Sequence, residues 1–509
     1  MAGRLPDSLL SQLNEFVTSQ MGLHFPKERW CDLERGIDSA AREFDFKDTE
    51  SCIQWLISSP LTKNRIEILA GYLTVGETYF FREKKSFEIF EEHILQKLIC
   101  SRRGTEPRLR IWSAGCCTGE EPYSIAILLD RLIPDPKDWN ITILATDINP
   151  RFLQKASEGV YNEWSFRDAP TRIKERYFER KKGGRYKILP EIKKRVTFSY
   201  LNLAEDAYPS LTNNTNAMDV IFCRNVLMYF GPERARKVIQ NLFRSLINGG
   251  WLIVSPSETS QALFSQFATV NFPGVILYRK DSDLSRTGQA MGVFPSMPVE
   301  EAGVSFQPPV HFFSDPAPEA VFTQETGASL PLEGEKKKTA EPRPAPYAEA
   351  AALYERGRYA EAAEKIAVLL SDHPDDAKAM ALLARVYANE GRLAEALEWC
   401  EKAIAADKLN PGGYYLLATI LQEQDQAGKA TVSLKRAIYL DPNFVLAYFA
   451  LGNLAQQQGK SKDSEKYFEN ALSILSKRRQ DDILLESEGM TAGRLVEIIR
   501  SMMLKETAA

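Results

Sequence analysis

The residues best suited to chemistry gather in two short stretches. The segment WSAGCCTGEE (Trp112 to Glu121) sets a glycine turn before two adjacent carboxylates, and Asp147 closes the apolar run ITILATD. Gly115 would let the backbone approach a ligand, and Asp147 could accept hydrogen bonds from ribose hydroxyls. A glycine turn with an acid after the next strand fits NAD, FAD and S-adenosylmethionine alike. Two features favour the methyl donor. The loop lacks the GxGxxG spacing that holds a pyrophosphate, and Glu120 and Glu121 at the helix start would repel a pyrophosphate while suiting the ammonium of a methionine moiety. The four histidines, His24, His93, His311 and His373, lie apart from one another and from any cysteine pair. Histidine triads and His/Cys zinc sites gain no support, and no metal is expected.

Strands must carry these loops to one ligand. RLRIWSAG reads as a buried strand, followed by CCTGEEPYS and the helix IAILLDRL; ITILATDI is a second strand, and DVIFCRNVLMYF contains a third. PERARKVIQNLFRSLI reads as an amphipathic helix with Pro232 near its first turn and Gly249-Gly250 at its end. WLIVSPS returns as a strand, and FATVNFPGVILYRK suggests two more joined at Pro273-Gly274. Such alternation predicts a largely parallel, doubly wound sheet with its ligand at the carboxyl ends of the strands.

The whole chain has 509 residues, 44% hydrophobic and 26% charged, which suits about three globular domains. No stretch approaches the ~20 apolar residues that span a bilayer, so no direct membrane insertion is expected. Asp7, Asn14 and Glu15 break any leading apolar run, and seven cysteines are scattered without a CxxC pair. The expectation is a reduced, cytoplasmic protein. Residues 1–280 carry 39 Lys+Arg against 34 Asp+Glu, and the remainder 25 against 34. Composition shifts at the same place: residues 281–346 hold ten of the 27 prolines and read as a flexible linker.

Beyond it, Gly357, Gly391, Asp425 and Gly459 recur every 34 residues, in phase with Ala362, Ala396, Ala430 and Ser464. Small residues at fixed positions in a 34-residue unit let two helices pack closely, and such units stack into a solenoid. This resembles the tetratricopeptide repeat (TPR). Lys408 departs from it, standing where a helix-ending proline is usual. Residues 484–503 read as an amphipathic capping helix.

The segments TVGETYFFREK (74–84), WSAGCCTGEEPYS (112–124), ATDIN (145–149), YLNL (200–203) and DVIFCRNVLMYF (219–230), with the later SPSE (Ser255 to Glu258), resemble the CheR family of chemotaxis receptor protein-glutamate O-methyltransferases. The resemblance covers about residues 5–280 and extends to members fused to TPR repeats. It implies a multidomain protein: an all-α N-terminal domain (1–75), an α/β Rossmann-like class I methyltransferase domain with a small β-subdomain (76–280), the linker (281–346), an all-α TPR solenoid (347–478) and a C-terminal capping helix (479–509).

The implied cofactor is S-adenosyl-L-methionine, leaving S-adenosyl-L-homocysteine. Cofactor contacts carry over to Thr78, Arg82, Gly115, Glu120, Glu121, Asp147, Asn202, Leu203, Arg224 and Asn225, with Glu121 meeting the methionine ammonium and Glu120 beside it. Arg82, Arg224 and Tyr229 are the implied catalytic residues. Phe80 and Phe81 are expected to pack. Gly76 stands where some members contact the cofactor, and the thiols of Cys116 and Cys117 suggest sensitivity to oxidation.

The implied reaction is methylation of glutamate side chains on methyl-accepting chemoreceptors, with recruitment to receptor arrays. A glutamate carboxylate, with a pKa of about 4.3, is already ionised at neutral pH and needs no general base. Residues 172–195, with eleven Lys+Arg and three acids, suit docking onto glutamate-rich helices. A nucleic-acid methyltransferase is disfavoured because CRNVLMYF replaces the Asn/Asp-Pro-Pro-aromatic segment of base methylation, so no nucleic-acid partner is expected. The alternative function is a non-catalytic cofactor-binding scaffold acting through its repeats. Those repeats would bind a protein partner or their own chain.

Overall fold

The computed structural model describes residues 5–58, 62–104, 107–133, 135–211, 213–281, 346–487 and 490–506. Residues 282–345, nearly all of the expected linker, lie outside the described residues. At the centre is a seven-stranded sheet in the order β6-β2-β1-β7-β8-β10-β9. The strands are β1 (Arg108–Ala114), β2 (Asn140–Asp147), β6 (Val196–Tyr200), β7 (Met218–Phe222), β8 (Leu246–Ile253), β9 (Ala268–Phe272) and β10 (Val275–Arg279). The first five pair in parallel, while β10 runs antiparallel to β8 and β9. Every residue of β1 is buried, as a central strand covered on both faces requires.

The sheet is doubly wound as its sequence pattern predicts, with one difference. The helix Pro232–Ser245 stops before the glycine pair, and Gly249-Gly250 lies inside β8. There Gly249 takes φ +80°, and the pairing of β8 with β7 shifts register between Met218 and Val220. The pair accommodates a bulge rather than a helix end. A small antiparallel sheet of β3 (Val160–Tyr161), β5 (Arg185–Ile188) and β4 (Phe178–Lys181) forms a subdomain, its hairpin turning at Gly183-Gly184.

Four helices, Asp7–Met21, Trp30–Glu43, Thr49–Ser58 and Lys63–Leu73, bury Leu13, Val17, Leu33, Ile37 and Ile53 in a core of their own. This bundle touches the sheet at its carboxyl ends. Asn149 caps the helix Pro150–Glu158 through its side-chain oxygen while its Nδ2 donates to Ala70 O and Thr74 Oγ1 (3.2 and 2.9 Å). The backbone of His24 donates to Tyr229 O at 2.8 Å.

From Pro346 onward the fold is four consecutive helix pairs, 346–355 with 359–372, 377–389 with 393–406, 411–423 with 427–440, and 445–457 with 461–475. The repeated alanines, Ala362, Ala396 and Ala430, are fully buried between paired helices. The last helix spans Ala492–Glu506 rather than starting near 484. Residues 483 and 491 instead form a bridge, with Leu484 N donating to Met490 O and Ala492 N to Asp482 O. No helix among the described residues is long and apolar enough to cross a membrane.

The repeats pack against the sheet at the amino ends of its strands. Arg108 at the start of β1 donates to Gly391 O and to Glu423 Oε2, both at 3.2 Å. Asn216, just before β7, donates to Glu423 Oε1 at 2.8 Å, and Asn140 of β2 to Glu423 O at 2.7 Å. Gly357 of the first pair meets Arg244, whose Cγ lies 2.3 Å from where a Cβ would stand. Gly357, Gly391 and Gly459 all take left-handed turns, and Gly357 in addition permits a close approach to the helix Pro232–Ser245.

Candidate functional site

A cleft of about 350 Å³ opens at the carboxyl ends of the strands, where the chain order reverses between β1 and β7. The turn after β1 contributes Gly115, and the helix Glu120–Leu132 that follows it contributes Glu121. Gly115, at φ +80°, donates to Thr146 O at 2.8 Å, and any Cβ there would lie 2.4 Å from Val226 Cγ2. Only glycine lets this turn and the turn after β7 sit side by side.

Asp147 ends β2 and lines the cleft although it is only 8% exposed. Its carboxylate accepts from Cys117 N (2.8 Å) and Asn149 N (2.9 Å). Burial still pushes its pKa up to about 6, against the pull of these backbone donors. Asn202 and Leu203, just past β6, form another wall.

The two adjacent glutamates part company. Glu121 lines the cleft, accepting from Ser113 Oγ (2.7 Å) and Arg224 Nη1 (3.0 Å). Glu120 points beneath it to Thr118 Oγ1 and Ser165 Oγ (2.6 and 3.1 Å), with its pKa raised by burial. On one helix, neighbours lie about 100° apart, so one faces the ligand and the other the core.

After β7 come Arg224, Asn225 and Tyr229, all on the cleft. Arg224 is nearly buried, with Nη2 donating to Arg82 O and lying 2.9 Å from Glu83 Oε2. Among the described residues, neither Arg224 Nε nor Asn225 Oδ1 has a hydrogen-bond partner. Asn225 is in the left-handed region (φ +57°), as are Phe81, Glu83 and Cys117 around the same cleft. Thr78 and Arg82 arrive on the loop before the helix Lys84–Ile89, with Arg82 Nη1 donating to Glu77 O. Burial raises the Tyr229 hydroxyl pKa, with Arg29 and Arg82 acting in the opposite sense. Phe80 packs among Tyr161, Phe166 and Phe178, and Phe81 against Phe87.

One site residue escaped the sequence reading. Glu258 is 8% exposed, and its carboxylate accepts from the backbone of Asn225 (2.6 Å), Val226 (2.7 Å), Met228 (3.2 Å) and Ser255 (3.2 Å). It holds the turn that carries Arg224 to Tyr229. The signal was present as S-x-x-E at Ser255 to Glu258, a capping box that here also secures a distant loop.

Two departures acquire physical accounts. The ring of Phe152, itself on the cleft, fills the space at Gly76, with Cζ 2.7 Å from a Cβ there. Burial foremost, and then Asp147, raise the pKa of the Cys116 and Cys117 thiols, which opposes thiolate formation and the expected oxidation sensitivity. The basic stretch is partly paired: Lys174 meets Glu163, Lys181 meets Glu179 and Arg195 meets Asp130, while Arg180, Lys182, Arg185 and Lys187 are exposed on the hairpin.

Fold and cleft together define a class, a doubly wound α/β protein with an acid-lined cleft at the switch point of its sheet. Comparison with known proteins narrows it. The family "CheR methyltransferase, SAM binding domain" matches residues 76–275, and tetratricopeptide-repeat families match 347–411, 411–444 and 445–474. A "Chemotaxis protein methyltransferase" of Borreliella burgdorferi is 33% identical over 253 residues, 49% of this chain and 87% of that protein. "Chemotaxis protein methyltransferase Cher2" of Pseudomonas putida is 33% identical over 274 residues, 53% of this chain and 97% of that protein. The chain belongs to the chemotaxis protein methyltransferase family, with a CheR S-adenosylmethionine-binding domain and C-terminal TPR repeats. Among solved structures, "MamA 41-end from Desulfovibrio magneticus RS-1" is similar at TM-score 0.25 and 22% identity over 26% of this chain and 75% of that one.

Proposed function

We propose that this protein methylates glutamate side chains of methyl-accepting chemoreceptors, forming γ-carboxyl methyl esters in chemotaxis-type signalling. The observation that carries the reading is the convergence of Asp147, Glu121 and Arg224 on one cleft at the switch point of the sheet. S-adenosylmethionine would supply a methyl group made electrophilic by its sulfonium.

The chain's own groups fit that molecule. Asp147, already bonded to two backbone amides, keeps acceptor capacity for ribose hydroxyls. Glu121 offers negative charge to the methionine ammonium, with Glu120 as a buried support. Asn202 and Leu203 would flank the adenine, and Gly115, Thr78 and Asn225 complete the seat.

The incoming carboxylate needs no base, so catalysis rests on alignment and removal of water. Arg224, held by Glu121 and by the Arg82 carbonyl, is a fixed member of the site. We assign Arg82 to orienting the substrate carboxylate and Tyr229 to positioning it near the transferring methyl. Val75 and Met228, both lining the cleft and more than half exposed, form an apolar rim that a docked helix would cover.

We further propose the division given above: helical domain 1–75, methyltransferase domain 76–280, linker 281–346, repeats 347–478 and terminal cap 479–509. The enzyme would act in the cytoplasm at receptor arrays. The Glu423 contacts of the repeats lie at the amino ends of the strands, away from the cleft mouth, and favour recruitment over occlusion. The test is methyl transfer from labelled cofactor to a receptor cytoplasmic fragment. Label released by mild alkali as methanol is expected, with loss of turnover in Arg82→Ala. Alkali-stable label would contradict the ester.

A further inference from the structure

The helix that follows the repeats also meets the rest of the molecule beside the cleft, through Arg494. Arg494 lies on the helix Ala492–Glu506, which is anchored in the repeat core by the fully buried Leu495 and Ile499. Its guanidinium sits 4.5 Å from the centroid of the Tyr200 ring, and Nη2 lies 3.9 Å from Glu205 Oε2. Tyr200 is the last residue of β6 and pairs directly with Asp147 on the β2 ladder. The wall formed by Leu201, Asn202 and Leu203 follows at once.

This wall hangs from a sheet edge. Among the described residues, β6 has β2 on one side and no strand on the other. Past Tyr200 the backbone is tied to Asp147 O by Leu201 N (3.2 Å), and Glu205 N closes a turn onto Asn202 O (3.1 Å). Asn202 Nδ2 reaches Gln20 O of the N-terminal helices at 3.5 Å. An arginine stacked on the Tyr200 ring and attracted to Glu205 clamps both ends of the 200–205 turn from outside.

We propose that Arg494 is a positioning residue for cofactor binding, so that the terminal helix of the repeat array is a structural part of the cofactor wall. This rests on the reading of Asp147 and residues 201–203 as the cofactor's seat. The array thereby acts on the enzyme's affinity as well as its location, although Arg494 touches no substrate atom.

The test uses the full chain, titrated calorimetrically with S-adenosylhomocysteine and assayed for methyl transfer, as wild type, Arg494→Ala and Arg494→Lys. Arg494→Ala should weaken binding about three- to fivefold, the scale of a partly exposed cation–π contact plus a weak ion pair. The KM for the methyl donor should rise equally, with kcat unchanged. Arg494→Lys, which keeps a cation over the ring, should recover part of the affinity. An unchanged dissociation constant in Arg494→Ala, or a fall in kcat at constant KM, overturns the proposal. Should Arg494→Ala also lower the thermal midpoint, a lysine variant that regains stability but not affinity overturns it too. Failure of the wild type to bind overturns the cleft reading itself, and this inference with it.

Discussion

Two clusters of buried charge sit at opposite ends of the same sheet. At the amino ends, Arg108 and Arg110 face Glu423 of the repeats, and Asn216 and Asn140 complete its bonding. Among the described residues, none of these side chains is left with an orphaned buried atom. At the carboxyl ends, Arg224 faces Glu121 and Glu83, yet among the described residues Arg224 Nε and Asn225 Oδ1 lack hydrogen-bond partners, and an open cleft lies alongside. Closed and satisfied, the first cluster fastens two parts of the chain. Open and unsatisfied, the second keeps polar capacity for something that arrives later. Similar residue types thus serve stability at one end and binding at the other, and the completeness of their bonding separates the two.

Breaking the closed end should give the largest effect. Glu423→Ala leaves Arg108 and Arg110 buried without their carboxylate, a loss of about 3–5 kcal/mol by analogy with other buried pairs. Denaturant unfolding checks this, and a change under about 1 kcal/mol would show that the cluster is solvated and does not fasten the repeats. Cofactor affinity in this variant should fall no further than in Arg494→Ala.

At the open end, Glu258→Gln replaces one acceptor oxygen by a donor facing backbone N–H groups. An unsatisfied buried donor costs about 1–3 kcal/mol, so kcat/KM should drop about tenfold or more while the overall fold persists. Steady-state methyl transfer with circular dichroism separates the two; full turnover would remove Glu258 from the site.

The third effect is graded by pH. The Asp147 carboxyl stands at about 6 in the folded protein, above its ordinary value, so its ionisation is disfavoured by folding. Its contribution to stability is complete at acid pH and is lost as pH rises towards 6. Binding has the opposite sign, because ribose hydroxyls donate to the ionised form. Affinity for S-adenosylhomocysteine should be level above about pH 6 and weaken below it, approaching about tenfold per unit. A flat profile from pH 5 to 7.5 would contradict the placement of ribose at Asp147.

What the sequence makes legible is local. Strand runs, the glycine turn at Gly115 and the acid at Asp147 lie in patterns of a few residues, and the 34-residue phase announces the repeats. Glu258 was harder to read, because the amides it holds at Asn225 and Val226 lie more than 30 residues away and their geometry needs the fold. Glu423 was harder still: its partner Arg108 is 315 residues distant, and a glutamate near a helix end otherwise reads as a solvated surface group. Gly249-Gly250 misled because glycines end helices and also permit bulges, and only pairing with β7 decides between them. The start of the last helix misled likewise, since Leu484 joins the repeat core through a turn rather than a helix.

The central claim is that the open end of the sheet is the cofactor site. Its most direct test is calorimetric titration of the full chain with S-adenosylhomocysteine, comparing wild type with Asp147→Ala. The account predicts binding by wild type that weakens at least about tenfold in the variant, consistent with loss of charge-assisted hydrogen bonds, with circular dichroism showing that the variant remains folded. Equal affinity in the two proteins would contradict it.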